Sequence, residues 1–149
     1  MKLPTTSKDK RKGFTLVEVV IVISIIALLF AIGSLVDSGM YQRRLISAEQ
    51  AVAISVLQKA RNQAMNNMYA SEYGVHIDPD AYVLFRGPSY VPNDPNNETI
   101  PKNSHISISG LRDIVFAQLS GEPNNPGQII LDDGTQQKYI NIKRGGLID

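Results

Sequence analysis

Twenty-three consecutive residues, Phe14 to Val36, contain a single charged side chain, Glu18. As a helix rising 1.5 Å per residue, that stretch would be roughly 34 Å long, against a bilayer hydrocarbon core of about 30 Å. Immediately before it lie Lys2, Lys8, Lys10, Arg11 and Lys12, opposed only by Asp9, and then Gly13. The order is a basic leader, a glycine, and a membrane-length apolar helix with one carboxylate near its start. An ordinary secretory signal has an apolar core of about 7–15 residues and a small-residue cleavage site beyond it. A plain signal anchor accounts for the run and its basic flank but not for Glu18. A carboxylate within a membrane helix costs on the order of 2.5–3.5 kcal/mol on insertion scales and is functional by default.

The residues Lys12-Gly13-Phe14-Thr15-Leu16-Val17-Glu18, joined to that apolar run, resemble the N-terminus of the type IV pilin-like family. The resemblance implies that a prepilin peptidase cuts between Gly13 and Phe14 and methylates the new N-terminus at Phe14. It places Glu18 at the fifth mature position, where the family's acid neutralises the N-terminal ammonium of a neighbouring subunit. Opposite charges attract far more strongly in low dielectric than in water, so Glu18 is expected to act in assembly. The implied partners are the peptidase, other pilin or pseudopilin subunits, and the cytoplasmic membrane.

Charge supports export of the chain beyond the apolar run. The leader carries five positive charges and one negative, a net +4 out of a chain total of +1, so the remainder from Phe14 carries −3. A general nucleic-acid binder would show a basic footprint instead. The leader outweighs Arg43 and Arg44 beyond the helix, so the N-terminus is expected to stay cytoplasmic and the C-terminal part to lie outside the membrane. After assembly the location would be an extracytoplasmic pilus or pseudopilus. Cysteine is absent, which excludes disulfides, thiolate metal sites and a cysteine nucleophile. The exported part must therefore rely on its own apolar core.

Beyond the apolar run, Ala48, Val52, Val56, Ala60, Ala64 and Met68 recur every four residues, flanked by Leu45 and Leu57. No proline interrupts Phe14 to Met68, so the pattern predicts one long helix, apolar all round at first and one-sided later. Gly33-Ser34 and Ser38-Gly39 are its weak points, each glycine costing up to about 1 kcal/mol relative to alanine. They serve either as places to bend or as small residues where membrane helices pack closely.

After Tyr69 the period becomes two. Tyr73–Ile77 and Ala81–Phe85 flank Asp78-Pro79-Asp80 and predict an antiparallel hairpin. Gly87 to Asn103 reads as a proline- and asparagine-rich loop. Further strands are expected at His105–Ser109, Ile114–Leu119 and Gln128–Leu131. Asp132-Asp133-Gly134-Thr135 turns the chain into Lys138–Ile142, and Gly145-Gly146 leaves a short tail. The expected class is α+β: a long N-terminal helix, membrane-embedded in its first half, packed against an antiparallel β-sheet. Its divisions are a leader at 1–13, an assembly helix at 14–36, an amphipathic continuation at 37–70 and a β-rich globular part at 71–149.

The stretch Leu57 to Ala64 with its Ala60-Arg61 pair, the hairpin after it, and the Gly127–Ile148 end resemble the H-type minor pseudopilins of type II secretion and related minor pilins. That likeness implies a minor structural subunit of a secretion pseudopilus or a type IV pilus.

Chemistry-bearing motifs are few. His76 and His105 have no clustered acids in sequence, and no nucleophile elbow, phosphate loop or paired-carboxylate pattern occurs. The chain is therefore read as no enzyme, with no cofactor, no metal site and no small-molecule substrate. Asp78, Asp80, Asp94, Asp132 and Asp133 read as turn formers rather than calcium ligands. Arg61 either pairs with an acid across the helix–sheet interface or is solvated. Asn97-Glu98-Thr99 matches a glycosylation triplet. Lys138, Lys143 and Arg144 form a small basic group. Lys143 and Arg144, or the Gly87–Asn103 loop, support the alternative of a membrane-anchored or filament-tip module that binds DNA or a surface ligand.

Overall fold

The computed structural model describes residues 13–33 and 38–149, in two compact units divided between Ser38 and Gly39. In the first, helix α1 spans Leu16–Gly33. Thr15 caps it: its Oγ1 accepts the Glu18 backbone N–H at 3.3 Å, and its carbonyl accepts the Val19 N–H at 3.2 Å. Every described side chain from Phe14 to Ala31 is exposed, and the helix is apolar all round apart from Glu18 and Ser24.

Helix α2 spans Ser38–Met65 and, but for its first residue, belongs to the second unit. The two expected weak points bracket residues 34–37, so the continuity of one long helix lies outside the described residues. The helix also ends before Met68. Asn67 adopts a left-handed conformation (φ 55°) and its N–H returns to the Ala64 carbonyl at 3.0 Å, an asparagine helix stop.

The buried face of α2 is Ile46, Glu49, Ala53, Val56, Leu57, Ala60 and Ala64. This corrects the every-four row. Each step of four overshoots a full turn by about 40°, so a row from Ala48 to Met68 drifts roughly 200° around the axis. Its middle members Val56, Ala60 and Ala64 face the core, whereas Ala48, Val52 and Met68 are exposed.

Seven strands follow: β1 (Tyr73–Ile77), β2 (Ala81–Arg86), β3 (Glu98–Pro101), β4 (Ser107–Gly110), β5 (Asp113–Phe116), β6 (Gly127–Asp132) and β7 (Gln137–Ile142). They form two antiparallel sheets rather than one, a four-stranded sheet in the order β3-β2-β1-β5 and a three-stranded sheet in the order β4-β6-β7. Strand β3 lies inside the expected Gly87–Asn103 loop; Pro101 is tolerated because the strand is an edge. Strand β5 stops at Phe116, short of the expected Leu119. Leu119 turns left-handed (φ 66°) and donates its N–H to the Ala64 carbonyl at 3.0 Å. The C-terminal tail is not free: Asp149 and Asn141 exchange both backbone hydrogen bonds, at 2.7 and 3.1 Å.

The core of this unit is α2 against both sheets. Tyr73, Val75, Tyr82, Leu84, Ile114 and Phe116 come from the first sheet, and Ile129, Leu131, Ile140 and Ile142 from the second. The class is α+β, a helix packed on antiparallel sheets. Val83, Phe85 and Val115 are also buried but stand apart from that core. Tyr90 in the loop after β2 packs by Phe85, ring centroids 5.8 Å apart, and stacks on His76 at 4.0 Å.

Candidate functional site

The N-terminal residues that carry the processing and assembly expectations lie together. Gly13, Phe14 and Thr15 precede α1 outside the helix, and Phe14 is 79 % exposed. Glu18 occupies the third helical position, three after the Thr15 cap, and is exposed. This gives Glu18 a second physical account beyond assembly: an acid in the first turn complements the positive end of the helix dipole. The signal for it, Thr15-x-x-Glu18, is the capping-box spacing and was legible in the sequence. Ser24, the next polar group, returns its Oγ hydrogen to the Val20 carbonyl at 2.7 Å and presents no open donor to a partner. Among the described residues no helix is long and apolar enough to cross a membrane. The 18 residues of α1 span about 27 Å, and residues 34–36 of the expected segment lie outside the described residues.

Lys143 and Arg144 follow β7 and are exposed. The Lys143 ammonium is paired with Asp149 Oδ2 at 2.8 Å, so the folded-back C-terminus offsets one of the two charges. Lys138 lies within β7, half-buried.

His76 is not the isolated histidine its sequence surroundings suggest. Its Nδ1 lies 2.6 Å from Asp113 Oδ1 and its Nε2 3.1 Å from Asp78 Oδ1. Asp113 is its cross-strand partner on β5, which sequence spacing cannot reveal. Both ring nitrogens are occupied and one ring face is covered by Tyr90, leaving the imidazole no open position for a substrate. Among the described residues no group of three or more histidine, aspartate or glutamate side chains is placed to hold a metal ion. Asp94, Asp132 and Asp133 accept hydrogen bonds within their own turns. Asn97 Nδ2, the nitrogen a glycan would occupy, donates to the Val91 carbonyl at 2.8 Å.

Arg61 takes neither of its two expected courses. Its Nε donates to the Gly121 carbonyl at 3.3 Å and its Nη2 to the Gly145 carbonyl at 3.2 Å, tying α2 to two loops. Gly146 is required beside it: φ is +75°, and a Cβ there would collide with the Gly121 carbonyl and the Arg61 guanidinium.

Residues 8–34 match the family model of the prokaryotic N-terminal methylation motif. The match covers Gly13, Phe14 and Glu18 and supports a type IV pilin-like family. No curated protein and no solved structure matches the chain.

Proposed function

We propose that the protein is a structural subunit, of the minor H-type class, of a type IV pilus or type II secretion pseudopilus. Prepilin peptidase cuts it between Gly13 and Phe14 and methylates Phe14. Before assembly it is a single-pass protein of the cytoplasmic membrane, N-terminus inside and C-terminal unit outside. It then joins other subunits through the N-terminal helix, and Glu18 pairs with a neighbouring subunit's N-terminal ammonium. The role is mechanical and involves no reaction of its own.

The observation that carries this reading is the methylation-motif match over residues 8–34. The α1 helix adds support, because its described side chains are exposed on every side and Glu18 is its one acid. A helix that is apolar all round is stabilised by an apolar environment rather than by water. The DNA-binding alternative loses support from the Lys143–Asp149 pair. The deciding experiment is the intact mass and N-terminal residue of the protein recovered from its native membrane. A chain beginning at methylated Phe14 is expected. Retention of Met1 to Gly13 with the peptidase present would overturn the reading in favour of a plain signal anchor.

A further inference from the structure

The expected scissile bond, Gly13–Phe14, ends one residue short of Thr15, which caps α1. Gly13, Phe14 and Thr15 are non-helical, and α1 begins at Leu16. Two hydrogen bonds fix that boundary. The Thr15 carbonyl accepts the Val19 N–H at 3.2 Å, the bond by which a helix starts just after its cap. Thr15 Oγ1 accepts the Glu18 N–H at 3.3 Å. In a helix each N–H bonds the carbonyl four residues earlier. Continued back toward the leader, the helix would give the Glu18 N–H to the Phe14 carbonyl and the Val17 N–H to the Gly13 carbonyl. The Thr15 hydroxyl takes the first of these donors and so stops the helix from running on. Phe14 is 79 % exposed, and a Cβ at Gly13 would meet nothing within 4 Å, so the bond is uncrowded where it stands.

We propose that Thr15 is a positioning residue for leader cleavage: its side-chain cap holds the Gly13–Phe14 peptide outside the helix, where a peptidase can attack it. The proposal rests on the prepilin-peptidase reading. In hydrolysis, water adds to the Gly13 carbonyl carbon and the C–N bond breaks. Phe14 leaves with its nitrogen as a protonated amine, and the leader ends in the Gly13 carboxylate. The attack converts the Gly13 carbonyl oxygen to an oxyanion, which must be open to donors from the enzyme. Within a helix that oxygen would already be bonded to the Val17 N–H. The leader offers the helix residues on which to continue, because Lys10, Arg11 and Lys12 are good helix formers. The cap uses the Glu18 backbone and not its carboxylate, so cleavage and assembly draw on different groups of one motif.

The test is cleavage of the full chain in detergent micelles by the prepilin peptidase of the same cell, with kcat and KM measured for Thr15 variants. Thr15→Val keeps the shape and removes the acceptor. It should raise KM about fivefold and leave kcat nearly unchanged, because only the unwound fraction of the substrate is competent. Thr15→Ser, Thr15→Asn and Thr15→Asp all cap helices and should stay within about twofold of the native KM. That set separates a cap from a direct contact, since a peptidase pocket shaped for the threonine hydroxyl would accept serine and reject asparagine and aspartate. Ser24→Ala, which removes a hydroxyl bonded inside α1, should change nothing. In the same micelles the carbonyl carbon shift of Gly13 should move toward its helical value in Thr15→Val alone. A native KM for Thr15→Val, or loss of cleavage in Thr15→Asn and Thr15→Asp, overturns the proposal and leaves the processing reading standing. A native chain left uncut at Gly13–Phe14 overturns both.

Discussion

The hydroxyl of Tyr82 on β2 donates a 2.8 Å hydrogen bond to Oε1 of Glu49 on α2, inside the core. Glu49 is 7 % exposed, and its other oxygen accepts the Asn103 backbone N–H at 3.3 Å. A carboxylate on the buried face of α2 is thus held by two donors, one from the first sheet and one from the segment leading to β4. Among the described residues no lysine, arginine or histidine forms an ion pair with it.

Removing the Tyr82 hydroxyl while keeping the ring leaves that carboxylate short of a donor. Tyr82→Phe should cost about 1–3 kcal/mol, read from urea unfolding at neutral pH. Burial, then the bond to Glu49 and its charge, push the Tyr82 hydroxyl well above its ordinary value of 10.0. A raised folded value means that its contribution is complete below that ordinary value and is lost as the pH rises further. The native protein should therefore lose stability on the alkaline side, and Tyr82→Phe should lack that part of the slope.

The phase of α2 gives a sharper comparison. Ala60 is fully buried and Ala48 is exposed, although both belong to the every-four row. Ala60→Leu should destabilise by about 1–3 kcal/mol through overpacking against the sheets. Ala48→Leu should stay within about 0.5 kcal/mol of the native protein. Equal effects in thermal unfolding would contradict the observed helix face.

Asp133 reports on the second hairpin. Its carboxylate is held down to about 2, first by the Thr135 hydroxyl, then by the Thr135 and Gln136 backbone N–H groups. A depressed folded value means that its contribution is present above the ordinary 3.8 and is lost as the pH falls toward about 2. An NMR titration of the Asp133 carboxyl should show that low midpoint. Asp133→Asn should flatten the acid-side loss of turn structure.

Glu18 can be divided into its two roles. Glutamine suits the third helical position in a capping box but carries no charge. Glu18→Gln and Glu18→Ala should both be cleaved normally, and both should reduce incorporation into filaments about tenfold or more if an ion pair in low dielectric is lost. Normal incorporation of Glu18→Gln, measured by quantitative blotting of sheared filaments, would leave helix capping as the residue's role.

The hairpin β1–β2 was readable because its information is local: alternating residues on either side of Asp78-Pro79-Asp80, and Asp78 N–H bonding the Ala81 carbonyl at 2.9 Å as such a turn demands. The β6–β7 pair was readable for the same reason. Strand β3 was hidden because Glu98-Thr99-Ile100-Pro101 has no strong period of its own and is ordered by pairing with β2. His76 and Arg61 each looked unremarkable, because most of the groups that bond them lie far away along the chain.

Local sequence was enough to specify roughly the first quarter of the chain: an apolar helix, its basic flank, and the Gly13-Phe14-Glu18 spacing that the methylation-motif match covers. Those are properties of consecutive residues and of transfer between solvents, and they need no knowledge of the fold. Tertiary structure alone decided that the strands form two sheets, that Glu49 is buried, and that the C-terminus folds back on β7. Each depends on which distant backbones and side chains meet, and burial and hydrogen bonding between them are settled only once the whole core has packed.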